Sequence, residues 1–235
     1  MARPRRVLLK LSGEALAGEK KTGFDEATVK AVAAQVKRSV TAGVQIAIVI
    51  GGGNFWRGRS SNAIDRVKAD QIGMLATVMN CLYVSEIFRS EGMDTEVFTA
   101  FPVGTMTTPF SKDAANAALA AGKVVFFGGG TGHPYFSTDT GVALRAIEME
   151  ADEILLAKAV DGIYDSDPKL NPNAVKYDTI SLSDIVEQRL GVMDLAAAIL
   201  CLENHMPMAV FGLEGENAIS EALMGNITGT RVTVE

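Results

Sequence analysis

Three glycine-rich segments, each directly after a run of apolar residues, carry the clearest chemical signal in this chain. The first glycine segment spans 10–14 (Lys-Leu-Ser-Gly-Glu), the second 51–58 (Gly-Gly-Gly-Asn-Phe-Trp-Arg-Gly) and the third 128–134 (Gly-Gly-Gly-Thr-Gly-His-Pro). Glycine lets backbone N–H groups approach a phosphate closely, and a helix that begins there adds partial positive charge. Each segment alone is equally well read as a tight turn. Together with Lys10 and Arg57, the three segments indicate a site for more than one phosphate group.

Two familiar phosphate-binding motifs do not fit these segments. Gly13 and Gly18 have the glycine spacing of a Walker A loop, but Glu19 stands where that motif needs lysine. A dinucleotide fingerprint needs a third glycine in the pattern GxGxxG, and the second and third segments have Trp56 and His133 there. The sequence therefore favours phosphate chemistry of another type.

The elements that hold these segments are predicted to be strands of a parallel sheet. Most of the apolar runs are continuous rather than alternating, as in strands that are buried on both faces. The predicted strands are 6–11, 44–50, 96–99, 124–127, 153–157, 208–211 and 231–234. Because the glycine segments follow three of these strands, we expect them at the carboxyl edge of the sheet, where open α/β sheets bind ligands.

Helical patterns alternate with the predicted strands. Asp25 is placed to N-cap a helix with apolar positions three and four residues apart, and Gly43 to end it. The other predicted helices are 67–89, 112–121, 138–150, 194–203 and 217–224. Segment 161–177 reads as an irregular loop or hairpin. Strands that alternate with helices predict a three-layer αβα sandwich around a mostly parallel central sheet.

Composition excludes several classes of protein. The 235 residues carry a net charge of −6, 48% are hydrophobic, and the mean hydropathy is +0.18. Apolar runs such as 44–50 and 195–202 are shorter than the ~20 residues of a spanning helix, and no basic surplus points to a nucleic-acid partner. Cys81 and Cys201 lack metal-site spacing and read as buried thiols. The basic residues 1–6 precede only a short apolar run, so we expect no signal peptide and a cytoplasmic protein.

Several motifs, taken together, resemble the bacterial uridylate (UMP) kinases of the amino acid kinase family. They are 10–16 (KLSGEAL), 50–58 (IGGGNFWRG), 73–80 (GMLATVMN), 130–139 (GTGHPYFSTD), 160–164 (VDGIY) with Asp167, and 192–197 (VMDLAA). The match runs in order over nearly the whole chain. The second and third motifs distinguish UMP kinases from other members, which share mainly the glycine segments and the VDG segment.

The resemblance implies one amino acid kinase domain over 1–235, with the UMP side mainly in the N-terminal two thirds and the ATP side mainly in the C-terminal third. The implied reaction is ATP + UMP to ADP + UDP, with Mg²⁺ on the ATP phosphates and no metal site of the protein's own. It needs no general base, because a phosphate with a second pKa of ~6 is largely ionised at neutral pH. A homohexamer is also implied, whereas GTP activation and UTP inhibition stay open.

The resemblance also implies roles for individual residues. The catalytic residues are Lys10, Arg57 and Asp194. The ATP-binding residues are Lys10, Leu11, Ser12, Gly13, Gly53, Arg57, Lys158, Tyr164 and Asp167. The UMP-binding residues are Gly52, Asp70, Thr131, Gly132, His133, Pro134, Tyr135, Phe136, Ser137 and Thr138.

Some of these roles have equally plausible structural alternatives. Asp194 is equally well explained as a helix N-cap, and His133 as a simple loop residue. Lys158 lies in Leu-Ala-Lys-Ala-Val where the family commonly has Lys-x-Thr-Lys, so its contact with ATP is either through the backbone or of a different kind.

Two other functions compete with UMP phosphorylation. A kinase of the same fold for an amino acid or carbamate needs other groups in place of Asp70 and segment 131–138. A non-catalytic nucleotide-binding protein predicts the loss of Lys10 or Arg57, and both are present. Oligomeric state is not readable from the pattern, because core packing alone can explain the apolar stripe of helix 67–89 (Ile72, Leu75, Ala76, Met79, Leu82 and Tyr83).

Overall fold

A computed structural model describes residues 3–56 and 63–234 of the chain. The strands are β1 (Arg6–Leu11), β2 (Gln45–Ile50), β3 (Thr95–Thr99), β4 (Thr108–Pro109), β5 (Val124–Gly128), β6 (Glu153–Lys158), β7 (Ile163–Tyr164), β8 (Lys176–Tyr177), β9 (Thr179–Ser181), β10 (Met208–Gly212) and β11 (Thr230–Thr233). The α-helices are α1 (Gly13–Ala17), α2 (Glu26–Thr41), α3 (Arg66–Ser90), α4 (Lys112–Ala120), α5 (Thr138–Glu148), α6 (Leu182–Glu187), α7 (Leu195–Glu203) and α8 (Ala218–Leu223).

The main sheet has the strand order β4-β3-β5-β2-β1-β6-β10-β11-β9. Its neighbouring strands are parallel except for the antiparallel pair β10–β11. The strands nearest the centre are buried along almost their whole length, as the continuous apolar runs predict. The predicted mostly parallel sheet is therefore confirmed.

Helices cover both faces of this sheet. Apolar side chains of α2, α3 and α8 pack on one face, and those of α4, α5, α6 and α7 pack on the other. Asp25 caps α2 by accepting a hydrogen bond from the Thr28 N–H at 2.8 Å, and Gly43 follows the helix at φ +90°. The predicted three-layer sandwich is confirmed.

The sequence pattern missed the shorter elements. Helices α1 and α6 have five and six residues, and strands β4 and β9 have two and three. Elements of this length are too short for a hydrophobic period to repeat, so only their tertiary contacts define them. Segment 161–177 holds the β7–β8 hairpin, as predicted.

Helix α3 differs from two sequence expectations. With 25 residues it is long and apolar enough to cross a membrane by length and composition, although its individual apolar runs are short. Its buried face packs on the sheet as a core helix does. Core packing, however, does not account for its whole apolar stripe, because the side chains of Ile72, Leu75 and Met79 remain 39%, 50% and 47% exposed.

Candidate active site

A cavity of about 280 Å³ opens at the carboxyl ends of β1, β2 and β5. The three glycine segments leave the sheet here, because parallel neighbours end at the same edge. Many of the predicted site residues line it: Lys10, Ser12, Gly13, Gly52, Gly53, Asp70, Thr131, His133, Phe136, Ser137 and Thr138. Residues predicted from segments far apart in the chain therefore share one cavity.

Lys10 is the cation at the end of the central strand β1. Its Nζ lies 2.7 Å from Oδ1 of Asp139, and both side chains are less than one-fifth exposed. Asp139 lies in the first turn of α5, where its backbone N–H donates to Oγ of the N-cap residue Ser137 at 3.0 Å. The ammonium group is thus held by a carboxylate that helix α5 fixes at the cavity edge.

A second lysine, Lys158, lies near the same carboxylate. It ends β6, the other neighbour of β1, and its Nζ donates a hydrogen bond to the Val192 carbonyl oxygen. Burial lowers the pKa of Lys158; the charge of Asp139 opposes this shift and that of Lys10 adds to it. Lys158 therefore lies close enough to the Lys10–Asp139 pair to share its electrostatics, whereas its contact with ATP stays a prediction.

Asp70 joins helix α3 to the residue that follows the third glycine segment. Its carboxylate accepts the backbone N–H of Tyr135 at 2.8 Å and pairs with the Arg66 guanidinium at 2.9 Å. Tyr135 has φ +72°, a conformation that L-residues rarely adopt, and its ring lies 5.5 Å from the Arg66 guanidinium. Asp70 therefore shapes the rim of the cavity as well as lining it.

The third glycine segment bends sharply as it leaves β5. Gly129, Gly130 and Gly132 have φ between +57° and +83°, where any other residue is strained. Thr131, His133, Phe136, Ser137 and Thr138 face the cavity, whereas Gly132, Pro134 and Tyr135 do not line it. The stretch 130–138 thus contributes some of its residues to the cavity lining and not others.

Asp194 acts as a helix cap in this structure. Its carboxylate accepts the Ala197 N–H at 2.9 Å at the start of α7, and it also accepts the hydroxyls of Ser137 and Thr140. It ties α7 to the first turn of α5 and does not line the cavity. The N-cap interpretation is thereby confirmed, while a direct catalytic role stays a prediction.

A second cavity of about 400 Å³ begins beside Lys158. Tyr164 and Asp167 line it together with apolar side chains that include Ile163, Val192 and Val210. The Tyr164 hydroxyl donates to Asp161 at 2.7 Å, which lowers the Asp161 pKa and raises that of Tyr164. The predicted ATP-side residues are therefore divided between two cavities, with Lys10 in the first and Lys158 in the second.

Leu11 and Arg57 are the two remaining predicted residues. The side chain of Leu11 is 1% exposed and packs in the core, so it does not reach the cavity as the prediction for an ATP contact suggests; its carbonyl oxygen accepts the Gly51 N–H at 3.0 Å. Arg57 lies outside the described residues. Within residues 3–56 and 63–234, no three His, Cys, Asp or Glu side chains form a group that could hold a metal ion.

Sequence reasoning missed Asp139 as a functional residue. It lies five residues after the third glycine segment, in the first turn of the predicted helix 138–150. A usable signal is Lys10 itself, because a lysine inside an apolar strand needs a counter-charge from another segment. The sequence does not show which carboxylate pairs with Lys10, because several carboxylates lie near predicted strand ends.

Comparison with known proteins agrees with this geometry. The sequence model of the amino acid kinase family matches residues 5–212. Among solved structures, UMP kinase from Bacillus anthracis is 37% identical with a TM-score of 0.94, and the match covers 99% of this chain and 98% of that one. UMP kinase from Ureaplasma parvum is 36% identical with a TM-score of 0.93, and the match covers 99% and 100% of the two chains.

A more distant similarity extends to an archaeal protein. Uridylate kinase from Archaeoglobus fulgidus is 28% identical with a TM-score of 0.74, and the match covers 97% of this chain and 99% of that one. The glycine segments at the carboxyl edge, the matched sequence model and these structures lead to one assignment: the chain is a member of the amino acid kinase family.

Proposed function

We propose that this protein transfers the γ-phosphoryl group of ATP to UMP, giving ADP and UDP, a step in the synthesis of pyrimidine nucleotides. The observation that carries the proposal is the meeting of three glycine segments, Lys10 and Asp70 around one cavity. The 37% identity and TM-score of 0.94 to a UMP kinase support it further. The two buried free cysteines are consistent with a cytoplasmic location, which belongs to the proposal.

In this proposal the first cavity takes UMP. Asp70 has carboxylate lone pairs beyond those used by Arg66 and Tyr135, and these accept the ribose hydroxyls. Gly52, Thr131 and Thr138 line the same cavity and contribute backbone and hydroxyl groups to the acceptor. An amino acid or carbamate would leave the carboxylate of Asp70 without such a partner.

The second cavity takes the adenosine part of ATP. Tyr164 offers a ring face there, and Asp167 offers a carboxylate for the ribose. The phosphates then extend past Lys158 towards Lys10 and the backbone of Ser12, Gly13 and Gly53. Arg57, outside the described residues, is proposed to contact the same phosphates.

The reaction requires positioning and charge neutralisation rather than a base. An oxygen of the UMP phosphate attacks the γ-phosphorus in line, the bond from the γ-phosphorus to the bridging oxygen breaks, and ADP leaves with that electron pair. Lys10 is held by Asp139 before substrate arrives, so its ammonium group is already oriented towards the transferred group. Lys158, which lines the second cavity, neutralises the donor phosphates.

Magnesium fits this donor set as a partner of the ATP phosphates. Mg²⁺ keeps several waters and binds through one or two carboxylates plus substrate phosphates, which suits a site without a ligand cluster of its own among the described residues. When bound, it supplies positive charge to the phosphate oxygens. Asp167, which lines the second cavity, is the described carboxylate that would assist.

We also propose that the protein assembles with copies of itself, as the expected homohexamer. The exposed face of α3 (Ile72, Leu75 and Met79) supports this, since these residues are spaced three and four apart and form one apolar strip on the surface. In a C2-symmetric pair, helix α3 of a second copy would pack its own apolar strip against this strip.

The function is tested by measuring ADP release with UMP, CMP, carbamate, glutamate and aspartate as acceptors. We expect UMP to give the highest kcat/KM, because the cavity offers hydroxyl and backbone donors for a phosphate and a carboxylate for a ribose. Equal or better turnover with CMP, an amino acid or carbamate would contradict the proposal. Tight ATP binding without turnover of any acceptor would indicate a non-catalytic nucleotide-binding protein.

Replacing Lys10 by Met should lower kcat by roughly 100-fold or more, with a much smaller effect on the KM for ATP, because charge on the transferred group is lost. The change also leaves Asp139 without its ion pair. The double variant Lys10→Met/Asp139→Asn should therefore regain thermal stability but not turnover. Lys30→Met, at an exposed ion pair with Glu26, is the control and should keep wild-type kcat. A Lys10→Met enzyme with normal kcat would disprove the assigned role.

The lowered pKa of Lys158 predicts a specific pH dependence. Because the charged form binds the donor phosphates, kcat/KM for ATP should fall on the alkaline side at a lower pH than an ordinary lysine would allow. Lys158→Arg should shift that fall to higher pH. The stability of the fold should change in the opposite direction. Because burial penalises the charged form of Lys158 in the folded protein, the free energy of unfolding should increase as the pH rises through the pKa of the folded state. An unchanged alkaline limb in Lys158→Arg would show that another group is responsible.

The assembly is tested at Leu75. We expect Leu75→Glu to lower the mass measured by sedimentation equilibrium, because it places a charge in each copy at the centre of the apolar strip. Leu170→Glu, at a site 84% exposed in the β7–β8 hairpin, is the matched control and should leave the mass unchanged. The proposed interface is wrong if Leu75→Glu has the wild-type mass.

A further inference from the structure

Two buried asparagines, Asn54 and Asn80, join helix α3 to the second glycine segment. Their side chains are 1% and 0% exposed. Nδ2 of Asn80 donates to Oδ1 of Asn54 at 2.8 Å, and Nδ2 of Asn54 donates back to Oδ1 of Asn80 at 3.0 Å. The two amides therefore face each other as a reciprocal pair in the interior.

Each amide uses its second N–H to hold a loop. Nδ2 of Asn80 also donates to the Gly51 carbonyl oxygen at 2.7 Å, and Nδ2 of Asn54 to the Gly23 carbonyl oxygen at 2.8 Å. With both N–H groups of each amide occupied, neither residue has a donor left for a substrate, and neither lines the cavity. The two amides therefore hold the backbone of these loops and do not bind substrate.

The first glycine segment rests directly on this pair. A Cβ added at Gly13 would overlap the Gly51 carbonyl oxygen and Oδ1 of Asn54, and would lie 3.0 Å from Nδ2 of Asn80. Gly13 and Gly51 are thus in close contact across the amide pair. Any movement of the pair changes the separation between the first and second segments.

Thr77, one turn earlier on the same buried face of α3, holds the third glycine segment. Its Oγ1 accepts the Gly129 N–H at 2.8 Å and donates to the Met74 carbonyl oxygen at 2.7 Å. Two adjacent turns of one helix therefore bond directly to the second and third segments. The first segment follows through Gly13.

We propose that Asn80 and Thr77 are positioning residues that set the separation of the three glycine segments for phosphoryl transfer, and that Asn54 orients the Asn80 amide by accepting its hydrogen bond. The inference rests on the proposed function. In-line transfer between two bound nucleotides depends on the spacing of the loops that hold their phosphates, and a misplacement of about 1 Å can cost on the order of 100-fold in rate. A buried amide network provides that spacing because each of its amide groups is bonded, and an unpaired polar group in the interior is costly.

The test compares Asn80→Asp with Asn54→Asp. Both variants keep the side-chain size and bury one carboxyl group at the same place, so their losses of stability should be similar. Only Asn80→Asp removes the donor to Gly51; in Asn54→Asp, Asn80 still donates to Gly51. We expect kcat to fall roughly 100-fold in Asn80→Asp and no more than about 10-fold in Asn54→Asp, with smaller changes in KM.

Ser85→Ala is the matched control on the same helix. Ser85 is 1% exposed, and its Oγ lies 2.8 Å from Oγ1 of Thr95 in β3, away from the glycine segments. This variant should keep kcat within about two-fold. Equal losses of kcat in Asn80→Asp and Asn54→Asp, or in Asn80→Asp and Ser85→Ala, would overturn the proposal.

Amide hydrogen exchange gives a readout that does not depend on activity. Asn80→Asp should speed exchange in residues 51–54, and Thr77→Val, which is isosteric, should speed exchange at Gly129; Ser85→Ala should do neither. If Asn80→Asp does not fold, Thr77→Val decides, and unchanged exchange at Gly129 overturns the proposal. If the wild-type protein fails to phosphorylate UMP, the proposed function is wrong, whereas unchanged exchange in both variants shows that the positioning inference is wrong.

Discussion

The parallel alignment of β5, β2, β1 and β6 is the constraint on which the rest of the molecule depends. Because these four strands are neighbours that run in one direction, the segments after them all leave at one edge. A chain with a net charge of −6 thereby concentrates glycine backbone and the ammonium groups of Lys10 and Lys158 at that edge. Antiparallel pairing of any one of them would move its loop to the opposite side. The proposed anion binding at this edge is in this sense a consequence of sheet topology.

The Lys10–Asp139 ion pair, with Lys158 nearby, shows how the fold positions lysine ammonium groups before a substrate binds. Two lysines at the ends of adjacent buried strands would repel each other, and the carboxylate of Asp139 offsets that repulsion. Its position in the first turn of α5 is fixed by the Ser137 cap and, through Ser137 and Thr140, by Asp194. Asp194, which does not line the cavity, therefore helps to fix the position of the charged groups there.

Helix α3 serves three surfaces of the molecule at once. One part of its circumference packs in the core, with Cys81, Val84 and Phe88 fully buried. A second part carries Thr77 and Asn80, which hold glycine segments. A third part exposes Ile72, Leu75 and Met79. A single 25-residue helix thus connects the proposed contact between copies with the loops of the candidate site.

The local features of this protein follow from its amino-acid sequence alone. Continuous apolar runs identified the main parallel strands, caps such as Asp25 located helix starts, and the position of Lys10 at a strand end marked it as unusual. Each of these signals is contained in a few neighbouring residues. The motifs also carried the resemblance, and through it most of the residues that line the first cavity.

Which distant residues meet depends instead on how the elements pack in three dimensions. Nothing local in the sequence states that β6 lies beside β1, and this neighbourhood is what brings Lys158 to Asp139 and Lys10. In the same way Asp70 meets Tyr135, and Asn54 meets Asn80, because α3 packs against the segments after β2 and β5. The physical reason is that hydrophobic periodicity describes which face of an element is buried, whereas the partner of a buried charge or amide depends on the order in which the elements assemble.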